Sequence, residues 1–197
     1  MPNNFQSLIF KNRPWWQYAA ATLAVIALAA LILLWMGRVP WCRCGYIKFW
    51  HGVVFSSENS QHIADFYTFS HVIHGFAFFW ILWLVARRLP VGWRSVIAVI
   101  VEAAWEIFEN SDLIINRYRE ATISLDYYGD SVINSTADIV AMVVGFWLAA
   151  RLPVWVTITL TLLMEVVVGL FIRDNLTLNI IMLISPIQAI KTWQSGG

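Results

Sequence analysis

Long apolar runs alternate with short polar breaks along this chain. The first run, 16–36, holds no charge and exceeds the roughly 20 residues that cross a bilayer as a helix. A second run, 67–85, stops at Arg87, Arg88 and Pro90, as expected where proline disfavours helix in the residue before it. A third, 93–110, starts apolar and then carries Glu102, Glu106 and Glu109. A fourth, 131–150, is closed by Arg151 and Pro153, and a fifth, 154–172, carries Glu165 near its middle. The last, 176–190, is shorter and is interrupted by Asn179 and by Ser185-Pro186, so it reads as a weak sixth span, a re-entrant piece or an interfacial helix. Polar loops occupy 37–66 and 111–130. The pattern predicts an all-α integral membrane bundle of five to six transmembrane helices, in a single domain spanning 1–197.

Lys11 and Arg13 precede the first run as in a signal peptide, but the run is long for a signal core and no small-x-small cleavage site follows it. It is therefore expected to stay as a membrane helix. Composition supports the same class: of 197 residues 59% are hydrophobic and 13% charged, where a soluble domain carries about 25% charged residues. The mean hydropathy of +0.65 agrees. Net charge is +1, and no Lys/Arg-rich run interleaves with aromatics, which argues against nucleic acid as a partner. Membrane lipid is the expected surrounding, while protein partners stay unspecified. Trp15, Trp16, Trp35, Trp41, Trp93 and Trp193 fall near helix ends, as in an interfacial belt.

Basic residues set the orientation. With the N-terminus in the cytoplasm and six spans, seven cations fall inside (Lys11, Arg13, Arg87, Arg88, Arg94, Arg151, Lys191) and six outside (Arg38, Arg43, Lys48, Arg117, Arg119, Arg173). The two short loops at 87–94 and 151–153 hold four Arg and no acid, which favours a cytoplasmic N-terminus. The two long polar loops then face outward.

Ionisable residues inside membrane helices are expensive and normally face a bundle interior or a wet cavity. Here they form stripes. Glu102, Glu106 and Glu109 are spaced i, i+4, i+7; Asp130, Asn134 and Asp138 are spaced i, i+4, i+8; His71 and His74 are spaced i, i+3, with Ser70 beside them. Glu102 lies about 10 Å deeper than Glu109, and Asp138 about 12 Å deeper than Asp130, from the same outer face. Three stripes entering one leaflet are expected to converge. Glu102, Glu106, Asp130 and Asp138 then become candidates for acid–base catalysis. His71, His74 and Glu109 become candidate ligands of a divalent metal. Ser70 and Asn134 become hydrogen-bonding groups. A proton path, or a buried network that only fixes helix packing, uses the same residue types.

The loop at 111–130 adds Arg117, Tyr118, Arg119, Ser124, Asp126, Tyr127 and Tyr128. Arg119 is the candidate anion contact for a phospholipid or polyprenyl-phosphate headgroup, the alternative being that Arg117 and Arg119 pair with nearby acids or sit among headgroups. Glu165, alone on its face, reads as a packing hydrogen bond. Cys42 and Cys44 allow a metal pair, a small disulfide ring or two ordinary thiols, and the last is favoured. Asn134-Ser135-Thr136 and Asn175-Leu176-Thr177 match glycosylation sequons but sit at a helix start and a membrane boundary. No Walker loop, dinucleotide fingerprint or Gly-x-Ser-x-Gly elbow occurs.

Five stretches carry a resemblance: Cys42 to Lys48, Ser57 to His62, Tyr67 to Gly75, Gly129 to Asp138 and Arg173 to Leu178. Through them the chain resembles a family of alphaproteobacterial integral membrane proteins known as a domain of unknown function. The resemblance covers nearly the whole length; it implies a multi-pass protein of the bacterial inner membrane and no activity. A shorter resemblance links Glu106, Arg119, Ser124, Asp130, Asn134 and Gly145 to the VanZ-like membrane proteins, which are tied to glycopeptide resistance and the cell envelope. The chain departs from that pattern in its two histidines, its three-Glu stripe and its Cys-x-Cys loop. The expectation is a protein that acts on or binds an envelope lipid or headgroup in a periplasm-facing polar cavity. A membrane scaffold or assembly factor, and a small proton-coupled transporter, are the alternatives.

Overall fold

A computed structural model describes residues 13–122 and 127–196. Among them are eight helices: α1 (Trp15–Trp35), α2 (Thr68–Val85), α3 (Val91–Glu109), α4 (Asp112–Ala121), α5 (Val132–Ala149), α6 (Val154–Ile172), α7 (Leu176–Ile184) and α8 (Gln188–Gln194). Between α1 and α2, two short strands, β1 (Trp50–His51) and β2 (Ala64–Asp65), pair in parallel, Trp50 opposite Ala64 and His51 opposite Asp65.

Proline opens three of the long helices. Pro14, Pro90 and Pro153 immediately precede α1, α3 and α6, where an absent N–H costs nothing and a φ near −55° starts the chain correctly. Ser131 caps α5 by accepting from the Asn134 amide, and Asn175 caps α7 by accepting from the Leu178 amide. α6 stops at Arg173, which takes a left-handed conformation (φ 54°).

Helices α1, α2, α5 and α6 are long and apolar enough to cross a membrane. Their outer faces expose Leu23, Leu31, Leu162, Leu170 and Phe171, an apolar surface suited to lipid rather than water. α3 has the same length, about 28 Å, but carries four charged residues. It packs against α1 and α5, and Glu102 and Glu106 are completely enclosed, so we read it as a fifth span whose acids never meet lipid. The core lies where α2, α3 and α5 meet, around Phe76, Phe79, Val99, Ala103, Ile139, Met142 and Phe146.

Two sequence expectations are corrected and a third is narrowed. Of the three readings open for 176–190, the short ones fit: the segment divides into α7 and α8 at Ser185-Pro186, and nine residues of α7 reach only about 14 Å. Its end returns to the side that carries α4, because Lys191 donates to the Glu120 carbonyl and Gln194 to Asp174, so Lys191 groups with Arg117 and Arg119 rather than with Arg87, Arg88 and Arg151. The segment 111–130 is not all loop. Ile114, Ile115, Tyr118 and Ala121 form one buried face and fold 112–121 into α4. Cys42 and Cys44 are not two thiols but a disulfide, closed by the turn in which the Gly45 amide donates to the Cys42 carbonyl.

Candidate functional site

Helices α2 and α5 touch backbone to backbone. A Cβ on Gly75 would strike the Met142 carbonyl oxygen, and one on Gly145 the Val72 carbonyl oxygen. That crossing sets what lies above it: His71 is one turn before Gly75, and Asp138 two turns before Gly145. α3 closes the third side with its acidic stripe. The three polar stripes therefore meet, as a geometric fact, beside a cavity of about 290 Å³.

His71 is the hub. Its Nδ1 lies 2.6 Å from Glu102 Oε1 and 3.4 Å from Glu106 Oε1, and its Nε2 lies 3.9 Å from Asp138 Oδ2. His74 also turns Nδ1 to Glu102, 3.1 Å from Oε1. Asp138 accepts from the Thr68 hydroxyl at 2.9 Å. Asp130 accepts from the Tyr127 hydroxyl (2.9 Å) and the Asn110 amide (3.1 Å), while its own backbone N–H donates to Asn110 Oδ1. Burial holds the Asp130 carboxyl well above the usual carboxylate range, and the facing Glu109 and Asp138 push it the same way. Glu109 accepts from the Tyr118 hydroxyl at 2.6 Å. Burial pushes the hydroxyls of Tyr118 and Tyr127 up, so both remain proton donors. Glu106 differs from its neighbours: it is 1% exposed, and neither carboxylate oxygen has a hydrogen-bond partner among the described residues.

Ser70, His71, His74, Glu102, Glu109, Asp130, Asn134 and Asp138 all line the cavity, and Glu106 stands behind His71. Phe78, Val101, Trp105, Leu176, Ile180 and Leu183 add an apolar part to the same lining, with Phe78 stacked on His74. Asn134 also ties the loop down, donating to the His62 carbonyl at 2.9 Å. Its burial leaves the sequon there inaccessible. Around the cavity, three sets of side chains bring one ligating atom each within 4.8 Å of the others: His71/His74/Glu102, His71/Glu106/Asp138 and Glu106/Glu109/Asp130. A fourth such set, Cys42/Cys44/Glu58/His62, lies in the loop between α1 and α2, where the two cysteines are joined as a disulfide. Glu109 thus falls in a different set from the two histidines with which the sequence grouped it.

Arg119 does not line the cavity. Its Nε donates to the Tyr127 carbonyl on the exposed side of α4, and Arg117 donates to the Leu183 and Ile184 carbonyls. Ser124 and Asp126 lie outside the described residues. Glu165 accepts from the Leu176 and Thr177 amides at 3.0 Å each and so anchors the start of α7. Sequence reasoning passed over Asn110, Tyr67 and Asn179. Asn110 was within reach, since it continues the Glu102/Glu106 stripe at i+8. Tyr67 and Asn179 line the cavity through the placement of α2 and α7, which no spacing encodes.

Comparison with known proteins gives kinship without activity. A family model described as "Protein of unknown function (DUF2585)" matches residues 33–196. A UPF0314 protein of Paracoccus denitrificans is 59% identical over 186 residues, 94% of each chain. One from Sinorhizobium fredii is 53% identical over 186 residues, again 94% of each. One from Brucella anthropi is 50% identical over 182 residues, 92% of each. No solved structure matches.

Proposed function

The chain belongs to the DUF2585 family, whose function is unknown, and from its cavity we propose that it is an inner-membrane protein acting on the headgroup of an envelope lipid. One observation carries the reading: the cavity lining is both polar and apolar, His71, His74, Glu102 and Asp138 sharing it with Phe78, Val101, Trp105 and Ile180. An amphiphile is the ligand class whose polar and apolar parts match such a lining. About 290 Å³ takes a headgroup with the first part of a chain, leaving the remainder in lipid.

The polar part of the lining supplies the chemistry. An imidazole held between two carboxylates accepts a proton on one side and returns it on the other. His71, between Glu102 and Asp138, has that placement. Ser70 and Asn134 offer hydrogen bonds to the headgroup. The loop that carries the Cys42–Cys44 disulfide also lends Asn59 and Ser60 to the cavity lining, which supports a periplasmic, oxidising exposure of this face and a cytoplasmic N-terminus.

The test compares total envelope lipids by mass spectrometry in wild type, a deletion strain, and the deletion carrying Glu106→Ala or His71→Ala at normal protein level. One lipid class is expected to shift in the deletion and to stay shifted with either variant. Identical profiles in all strains would overturn the reading and leave a scaffold role.

A further inference from the structure

We propose that the acidic cluster at the edge of this cavity binds a pair of divalent first-row cations, bridged by Glu106, which stands behind His71. One cation lies with His71 and Asp138, the other with Glu109 and Asp130. The proposal rests on the headgroup reading above, replaces the proton relay assigned there to His71 with cation ligation, and adds the group that would contact an anionic headgroup.

Glu106 points to the pair most directly. A carboxylate withdrawn from water needs donors or a cation; this one is 1% exposed and has no hydrogen-bond donor among the described residues, and its ion-pair neighbour, His71 Nδ1 at 3.4 Å, is hydrogen-bonded to Glu102 instead. Protonation would not satisfy it, because a carboxylic acid still needs a partner for its O–H. Among the described residues no lysine or arginine lines the cavity, and its two histidines both turn Nδ1 to Glu102. Glu106 nevertheless belongs to two of the three ligand sets around the cavity, so its two free oxygens can each serve one ion.

The remaining residues then fall into ordered roles. If His71 Nδ1–H donates to Glu102 Oε1 at 2.6 Å, its Nε2 lone pair turns toward Asp138 Oδ2, 3.9 Å away. That is the carboxylate–histidine–metal arrangement, in which the outer carboxylate fixes the tautomer of the ligating ring. Thr68 orients Asp138, Tyr118 orients Glu109, and Tyr127 with Asn110 orients Asp130. Glu102 and His74 are therefore positioning groups rather than ligands. The charge of the ligands closes as well. Glu106, Glu109, Asp130 and Asp138 carry four negative charges when ionised, which two divalent ions neutralise without a buried lysine or arginine, while the fifth carboxylate, Glu102, is met by His71 and His74. Four carboxylates and one imidazole form an oxygen-rich set, suited to Mn2+ or Fe2+ before Zn2+. With cations in place, a phosphate-bearing headgroup is attracted to a wall that bare carboxylates would make repulsive.

The test uses the full-length protein in detergent, stripped with a chelator, reloaded with Mn2+ alone and passed through a desalting column before elemental analysis. Wild type is expected to retain about two Mn2+ per chain with the spectrum of a coupled pair. Glu106→Gln, which keeps the side chain's shape, is expected to retain none, and Asp138→Asn about one. Mn2+ is expected to raise the Tm of wild type and leave that of Glu106→Gln unchanged, a comparison valid whatever each variant's starting stability. Wild type emerging without stoichiometric Mn2+, Fe2+ or Zn2+, or Glu106→Gln binding as wild type does, would overturn the cation pair. Loss of the pair alongside a Glu106-dependent lipid profile leaves the acid–base cavity standing. A retained pair with unchanged lipids removes the headgroup reading alone.

Discussion

Glu58 collects three donors in the outer loop: Lys48 Nζ at 2.6 Å, the Tyr46 hydroxyl at 2.8 Å and His62 Nε2 at 3.0 Å. The tautomer of His62 follows from its other nitrogen, which accepts from the Lys48 backbone N–H at 3.2 Å and leaves Nε2–H to donate. The Lys48 contact, then His62 and Tyr46, draw the Glu58 carboxyl down from 4.5 to about 2. A depressed carboxylate stabilises the folded loop above its unfolded pKa, and that contribution fades as pH falls from 4.5 toward about 2. Hydrogen exchange across 46–62 should therefore accelerate through that interval in wild type, and Glu58→Gln should remove the dependence. A Glu58 carboxyl seen by NMR to titrate at its ordinary 4.5 would refute the account. Gly129 shows the same economy of position. It takes φ +94°, its carbonyl accepts from Gln61, and a Cβ there would crowd Arg38 and Asn110, so the turn that delivers Asp130 needs glycine.

At the scale of elements, the decisive contact is the α2–α5 crossing. Small residues let two helices approach until backbones touch, and dispersion between them replaces the hydrophobic effect that lipid does not supply. Gly75→Leu, facing the Met142 carbonyl, has no flexible neighbour to displace. It should cost about 3 kcal/mol or more by forcing the helices apart. It should also loosen the His71–Asp138 relation one turn away. Thermal unfolding in detergent measures the first effect. A Tm equal to that of wild type would show that the helices do not meet at this glycine. α7 is held differently, by the Asn175 cap and by Glu165 accepting from its first amides, so an acid in the middle of α6 serves architecture rather than chemistry.

Taken whole, the molecule places its polar machinery toward one membrane face. An odd number of spans, α1, α2, α3, α5 and α6, puts the two ends of the chain on opposite sides. Reassigning Lys191 leaves six cations inside and seven outside, so the bias rests on the short loops at 87–94 and 151–153, where the positive-inside rule is strongest. Alkaline phosphatase fused after 196 is therefore expected to be active, and a fluorescent protein fused after Arg88 to be fluorescent. The reversed pattern would place the cavity toward the cytoplasm and would remove the support that the disulfide lends.

The run lengths of apolar residues determined the membrane class and the positions of five long helices, because a bilayer demands length and hydrophobicity that no tertiary contact can alter. Spacing determined which acids share a face: Glu102, Glu106 and Glu109 could not be separated once α3 formed. Spacing did not fix the distances between stripes. Those depend on Gly75 meeting Gly145, a contact between segments 70 residues apart that becomes legible only when α2 and α5 are packed. Nor did sequence separate Arg119, turned to a backbone carbonyl, from the acids beside it, since donor-rich side chains go to whichever acceptor the fold presents. The Cys42–Cys44 bond and the return of α8 to Asp174 belong to the same class, and so does the want of a hydrogen-bond donor at Glu106 among the described residues. Each is a matter of which groups the packed chain leaves within reach of one another, and that is decided by tertiary structure.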